Sequence, residues 1–476
     1  MTTSTTAQTG PTAEKKEPYG LVILVAALML FSMFFGAGNL IFPPMLGASS
    51  GEAFTPAILG FLTTGVLLPV LAILAIAVTG RDLEDLASRG GRIFGVVFTV
   101  LVYLSIGAFY ALPRTAAVSY ETAIQPSFGF DSLAPSAVFC GLFFLVALLL
   151  AFDPSGIVDR LGKLLTPALL ILLAVLIVLS VISLSAPTPS PMPDYASGAY
   201  VSGFLEGYNT MDSLAALAFG IIVVASLRSK GVADGPRLVR GVGLSGLLAG
   251  VFLAAVYIGL GVVGLRMPEG QSHADGASIL NEAAATVLGG PGALVFGLIV
   301  ILACLTTAVG LIGATSEYFA KIVPALSYRV WAVIFSAIAF LVSIMGLQTV
   351  LAIAGPIVGF LYPAGITLIL LTLIEPLTRR RLDLTFKLAL IVAIVWAALM
   401  TLSSLGVAAG AIEALIGWAP LHGQGLGWVV PTVATAIIGV IIDLLRGAPR
   451  GVAVGGESTE TAQLRAAQRA EERIGA

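Results

Sequence analysis

The chain has 476 residues, of which 58% are hydrophobic and only 11% charged, with a formal net charge of −2. Soluble domains carry roughly 25% charged residues, so this composition, with a mean hydropathy of +1.03, excludes a soluble globular protein and defines an all-α polytopic membrane protein. Charges confined to loops give nucleic acid nothing to bind, and Cys140 and Cys304, both in apolar segments, supply neither a disulfide framework nor a metal site.

Residues 1–18 are polar and Thr-rich and read as a cytoplasmic tail. The apolar segment that follows is full length and lacks a small-residue cleavage site, which argues against a signal peptide. Twelve segments reach the ~20 apolar residues needed to cross a bilayer: approximately 19–48, 54–78, 93–120, 135–152, 164–185, 200–227, 240–265, 291–319, 328–346, 349–375, 385–407 and 425–445. The tenth contains Gly355, Pro356 and Pro363, which predicts a kink. Residues 447–476 turn Gly-rich and then charged, and read as a second cytoplasmic tail. With the N-terminus inside, every Lys and Arg except Arg114 and Arg266 falls in an inner segment. The positive-inside rule then requires an even number of spans and two cytoplasmic termini. His273 and His422 fall in outer loops and read as solvated.

The first span contains Ser32-Met33-Phe34-Phe35-Gly36-Ala37-Gly38-Asn39-Leu40-Ile41-Phe42-Pro43-Pro44. Gly36 and Gly38 weaken a helix, and Pro43 and Pro44 cannot donate backbone hydrogen bonds. In hydrocarbon every freed backbone group needs a partner, so irregular backbone persists where it lines a cavity or is buried in protein. A Gly/Pro kink that eases packing is the plain alternative for a single break. A second break follows in the sixth span, where Glu206-Gly207-Tyr208-Asn209-Thr210-Met211-Asp212 interrupts apolar sequence. Five spans apart, the two breaks belong to halves of opposite orientation, the sequence pointer to a transporter's binding site.

Half-helix N-termini suit a carboxylate, and half-helix C-termini offer carbonyls to a cation. Asn39 either binds substrate or ion, or caps the second half-helix. Glu206 either holds an ammonium group or relays a proton, or is solvated at the outer interface. Asp212 follows the second break and favours a helix N-terminus; Tyr208 gates the site or packs against it. In the eighth span, Ala303-Cys304-Leu305-Thr306-Thr307 places two hydroxyls where they either coordinate Na⁺ or bond their own i−4 carbonyls.

The segments Phe34 to Pro44, Gly207-Tyr208-Asn209-Thr210-Met211-Asp212-Ser213-Leu214-Ala215 and Cys304-Leu305-Thr306-Thr307-Ala308-Val309-Gly310-Leu311 resemble hallmark motifs of the bacterial branched-chain amino acid:cation symporters. So do Ala111-Leu112-Pro113-Arg114-Thr115-Ala116 and Asp159-Arg160-Leu161-Gly162-Lys163-Leu164-Leu165-Thr166-Pro167. The position after Tyr208, usually apolar in that family, is Asn209 here. The resemblance spans about Tyr19 to Arg446. It implies import of leucine, isoleucine and valine across the bacterial plasma membrane, coupled to Na⁺ or, in some members, H⁺. It also implies the leucine-transporter (LeuT) fold, with inverted five-helix repeats over 19–185 and 200–375 and two further helices over 385–446. Gly36-Ala37-Gly38-Asn39 is similar to the Gly-x-Gly-Asn of sodium-coupled members of that fold. By that likeness, the carbonyls of Ser32, Phe35 and Ala303 and the hydroxyls of Thr306 and Thr307 form a Na⁺ site. The Ala37 and Gly38 amides face the substrate carboxylate, and Gly36, Asn39 and Glu206 to Thr210 complete the substrate site.

No span carries the polar stripe of a channel, and the spans hold neither a metal cluster nor a Ser–His pair for a membrane enzyme. The alternative within the transporter class is a same-fold cation symporter for another solute, such as a nucleobase or a different amino acid. No cofactor or protein partner is expected. Two further features are a helix at 276–282 started by Asp275 as N-cap, either a plain amphipathic surface helix or an outer lid, and close packing at Gly246-x-x-x-Gly250 in the seventh span.

Overall fold

The computed structural model describes residues 18–79, 82–130, 132–152, 157–378 and 382–446. Both predicted tails (1–17 and 447–476), Arg81, and Arg379, Arg380 and Arg381 lie outside the described residues, as do the side chains of Arg160 and Lys163.

In chain order the helices are α1 (Tyr19–Phe34), α2 (Ala37–Ser50), α3 (Phe54–Leu62), α4 (Leu68–Thr79), α5 (Leu83–Ala87), α6 (Arg92–Leu104), α7 (Ala111–Ser119), α8 (Gln125–Phe128), α9 (Leu133–Ala151) and α10 (Ile157–Ser183). The second half of the chain adds α11 (Pro193–Ala196), α12 (Ala199–Glu206), α13 (Asp212–Ser229), α14 (Pro236–Arg266), α15 (Gly276–Ile322), α16 (Tyr328–Ser343), α17 (Leu347–Ile374), α18 (Asp383–Ser404), α19 (Ala409–Ile416) and α20 (Val429–Arg446). Among the described residues, 10 helical runs are long and apolar enough to cross a membrane, and α1 and α16 are shorter apolar helices. The chain is a multi-pass, all-helical membrane protein.

Small residues let the central helices approach closely. A Cβ on Gly47 of α2 would overlap the Gly261 carbonyl of α14, and one on Gly203 of α12 would overlap the Ala57 carbonyl of α3. Gly250 faces Val70 of α4, whose Cγ2 would stand 3.0 Å from an added Cβ, so the Gly246-x-x-x-Gly250 face packs against α4. α18 and α20 pair at the edge of the core. There Asp443 accepts the Leu384 and Thr385 backbone N–H groups at 3.2 and 2.8 Å, taking up donors that open α18.

Several local features differ from the sequence reading. The irregular backbone between α1 and α2 is confined to Phe35 and Gly36, while Pro43 and Pro44 lie inside α2. Each proline removes one intrahelical bond without ending the helix. Wide π-helical turns stand at Thr63–Leu67, Ser105–Phe109 and Tyr120–Ile124, where the sequence reading expects straight spans; the first two contain Gly65 and Gly107. The lid segment and the eighth apolar segment are two helical stretches, together spanning α15, that meet at the non-helical Gly289 with φ 72°. Asp275 caps the first by accepting from Ser278 N at 3.0 Å. The two histidines are not free in solvent: His273 stands 3.2 Å from Glu282 and His422 2.7 Å from Glu413, with only 15% and 14% of their side chains exposed. Loop folding brings a carboxylate to each.

Candidate functional site

The helix breaks meet at the centre of the molecule. Phe35 N–H closes α1 on Phe31 O. The Gly36 N–H, whose helical acceptor would be Ser32 O, donates to Asn39 Oδ1 at 3.1 Å. Asn39 thus caps the start of α2 with its oxygen and points its amide away from it. That amide donates to Asp212 Oδ2 at 2.7 Å and to the Tyr257 hydroxyl, and Tyr257 donates to the same Asp212 oxygen at 2.9 Å. Asn39 and Asp212 are 2% and 3% exposed. This triad fastens α2, the start of α13 and α14 to one another.

The second break is a 3₁₀ turn, Gly207–Thr210, followed by Met211 in the left-handed region at φ 67°. Its carbonyls are taken by α7. Arg114 Nη1 donates to Asn209 O at 2.6 Å and to the Tyr110 hydroxyl at 2.5 Å, and Nη2 donates to Thr210 O at 3.0 Å. Tyr110 also donates to Asn209 O, at 2.7 Å. The wide turn at Ser105–Phe109 rotates Tyr110 and Arg114 into this position. From the α3–α4 bend, Thr64 Oγ1 donates to Phe204 O at 2.6 Å, and Thr64 O accepts from Ser213 Oγ at 3.1 Å. Thr64 therefore spans the second break.

Beside the first break, Thr307 Oγ1 approaches Ala303 O at 3.2 Å and Phe35 O at 3.5 Å. A Cβ on Gly36 would stand 2.9 Å from that hydroxyl, so glycine is what lets α15 approach. Of the residues named for the ion site, Phe35 and Thr307 therefore meet across elements, while the Thr307 bond to Ala303 O is the i−4 bond within its own helix. Thr306 bonds only its own helix, at Ala303 O, 2.8 Å away. Ser32 lies half-buried in the last turn of α1, its carbonyl relieved of the Gly36 donor.

The residues named for the substrate divide between two spaces. A small central cavity of about 30 Å³ is lined by Gly36, Ala37, Asn39, Thr210, Asp212 and Thr307, with Arg114 and the apolar Phe34, Ile106 and Phe219. It has room for about one water and not for an amino acid. Gly38 lies under the Arg114 guanidinium, and Gly207 packs on the backbone of Phe61. Glu206, Tyr208 and Asn209 line a separate open vestibule of about 830 Å³, between α12, α17 and the connections on the Lys/Arg-poor face. Glu206 accepts there from Asn209 Nδ2 at 3.3 Å. Tyr208 stacks on Tyr362 of α17, ring centroids 4.2 Å apart. On the Lys/Arg-rich face, Arg89 makes a two-pronged ion pair with Glu375 at 2.8 and 2.5 Å, and Lys321 pairs with Asp82 at 3.0 Å. Sequence reading missed Tyr257 and Thr64, and it treated Arg114 only as part of a motif. The available signal was Arg114 itself, a cation inside apolar sequence.

Closely packed helices whose irregular backbone meets around a small central cavity fit the class of membrane transporters. Residues 21–446 match the family described as branched-chain amino acid transport protein, and the chain belongs to it. It is 51% identical to the branched-chain amino acid permease BrnQ of Corynebacterium glutamicum over 431 residues, covering 90% of this chain and 97% of that one. It is 37% identical to the branched-chain amino acid transport system 2 carrier protein of Pseudomonas aeruginosa, covering 90% and 98%. In fold it is similar to the nucleobase-cation-symport-1 family transporter Mhp1. The closed, bromovinylhydantoin-bound form gives a TM-score of 0.61 at 14% identity, covering 90% of this chain and 93% of that chain. The inward-facing form gives 0.56 at 14% identity, covering 92% and 93%.

Proposed function

We propose that this protein is a secondary symporter that imports leucine, isoleucine and valine across the bacterial plasma membrane, driven by a Na⁺ gradient. It crosses the membrane twelve times with both termini in the cytoplasm. Residues 19–185 and 200–375 form inverted five-helix repeats, and 385–446 add two helices. The names of the relatives support the substrates, and the charge pattern supports the orientation. The observation that supports ion coupling is the approach of the Thr307 hydroxyl, which also bonds its own i−4 carbonyl at Ala303, to Phe35 O at 3.5 Å beside the gap between α1 and α2. Hard cations take such oxygen sets.

In this reading the central cavity opens alternately to either side. Spans 1, 2, 6 and 7 rock against spans 3, 4, 8 and 9, and the Tyr208–Tyr362 stack and the Arg89–Glu375 pair open in turn. One charge moving through ~100 mV releases about 2.3 kcal/mol, and a tenfold Na⁺ gradient adds about 1.4 kcal/mol. Together they support a solute gradient of several hundred-fold, to order of magnitude, at one Na⁺ per substrate. An apolar pocket separates methylenes by only ~1–3 kcal/mol, which supports shared transport of all three substrates.

The test is uptake of labelled leucine into proteoliposomes under an inward Na⁺ or an inward H⁺ gradient. Na⁺-dependent uptake, competed by isoleucine and valine, is expected. Uptake driven by H⁺ alone removes the Na⁺ assignment, and no leucine uptake under either gradient removes the substrate.

A further inference from the structure

Burying a guanidinium is costly unless its charge is met and its N–H groups are bonded. Arg114 is 3% exposed. Its bonds to Tyr110, Asn209 and Thr210 use three N–H groups, out of the five a guanidinium carries. Nε has no partner. Its acceptors are neutral, and among the described residues no carboxylate forms an ion pair with it. The unused Nε–H shares an edge with Nη2, and such paired N–H edges bind carboxylates through two parallel bonds.

The position of the guanidinium sharpens the imbalance. It lies on Gly38, where an added Cβ would stand 2.5 Å from Nη2 and 2.6 Å from Cζ. Gly38 is in the first turn of α2, which contains no acidic residue. The first-turn amides of a helix carry partial positive charge. Two positive features therefore adjoin the central cavity. Its one acidic lining residue, Asp212, is already bonded to Asn39 and Tyr257.

We propose that Arg114 receives the α-carboxylate of the substrate on its Nε edge, beside the first-turn amides of α2, and so restricts transport to solutes with a free carboxylate. The inference deepens the transport reading and rests on it. The same guanidinium holds the Asn209 and Thr210 carbonyls, so a carboxylate arriving at Arg114 also bears on the turn between α12 and α13.

The test is equilibrium binding of leucine and leucinamide to the full-length purified protein, wild type, Arg114→Gln and Arg114→Lys. Leucinamide keeps the side chain and the ammonium and replaces the carboxylate with a neutral amide. The wild type is expected to prefer leucine by about 100-fold or more. In Arg114→Gln the two ligands come within about threefold, because leucine loses its carboxylate contact beyond whatever loss both ligands share through the turn. Arg114→Lys falls between them, keeping the charge without the planar edge. A residue that only holds the turn together would weaken both ligands alike and preserve their ratio. A preserved ratio, or a Gln variant that binds neither ligand, overturns the inference while leaving the transport reading in place. Absence of leucine binding by the wild type removes both.

Discussion

Asn39 Nδ2 donates to Asp212 Oδ2 at 2.7 Å across 173 positions of sequence, joining the two places where helices give way to irregular backbone. The bond makes movement at one break felt at the other. Asn39→Ala leaves Asp212 with Tyr257 and leaves the Gly36 N–H without its side-chain acceptor. The expected cost is about 1–3 kcal/mol of stability, with leucine uptake lowered about tenfold or more by loss of the shared geometry. Thermal denaturation in detergent and initial uptake rates measure the two effects. Wild-type values for both would detach the bond from stability and transport alike.

The two threonines of α15 should not behave alike. Thr307 reaches Phe35 O, whereas Thr306 bonds only Ala303 O. On the proposed Na⁺-coupled reading, Thr307→Ala is expected to raise the Na⁺ concentration for half-maximal uptake by about tenfold or more, and Thr306→Ala to change it by less than about threefold. A sodium titration of uptake decides it, and equal effects would spread the ion contact over both hydroxyls.

The ion pairs on the Lys/Arg-rich face differ in burial and so in consequence. The Glu375 side chain is 6% exposed, and its partner Arg89 also lies over the Phe386 ring, 4.5 Å from its centroid. Lys321 and Asp82 are 64% and 36% exposed. Arg89→Ala strands a buried carboxylate and is expected to cost about 3 kcal/mol. Lys321→Ala should cost less than about 1 kcal/mol. Melting temperatures of the two variants, measured side by side, test the ranking.

Glycines of similar sequence setting should also separate. Gly47→Ala drives a methyl into the Gly261 carbonyl, while Gly310→Ala meets nothing within 4 Å. Gly47→Ala is expected to abolish folded protein. Gly310→Ala should be neutral or stabilising by roughly 0.5–1 kcal/mol through helix propensity. Membrane yield and monodispersity on size exclusion report the contrast, and a well-behaved Gly47→Ala protein would contradict the packing.

Outside the spans, the Ser403 hydroxyl and then His422 hold the Glu413 carboxyl below its usual range. A depressed folded-state pKa adds stability above the unfolded-state value of about 4.3. That stability is lost as pH falls through the folded-state value. Protection factors of the amides across 403–422, the exchange rates referred to the intrinsic rate at each pH, should therefore fall in acid, and Glu413→Gln should remove that fall. Protection factors that stay flat from about pH 6 to pH 3 would contradict the linkage.

The sequence by itself determined the membrane class, the family motifs and the residues around which α1 gives way to α2 and α12 to α13. These are local properties: apolar run length, glycine at adjacent positions and polar residues inside hydrocarbon-length segments. The tertiary structure decided which groups meet. Nothing near Arg114 in sequence announces the Asn209 and Thr210 carbonyls, because the rotation of α7 is set by a wide turn and by packing against neighbours. The same holds for Tyr257 at Asp212 and for Thr64 across the second break. Glu206 and Asp212 are six positions apart on one interrupted segment, yet Glu206 lines the vestibule and Asp212 the cavity. Composition gives both the same polarity, and only the packing of that segment against α3, α4 and α17 assigns them to different spaces.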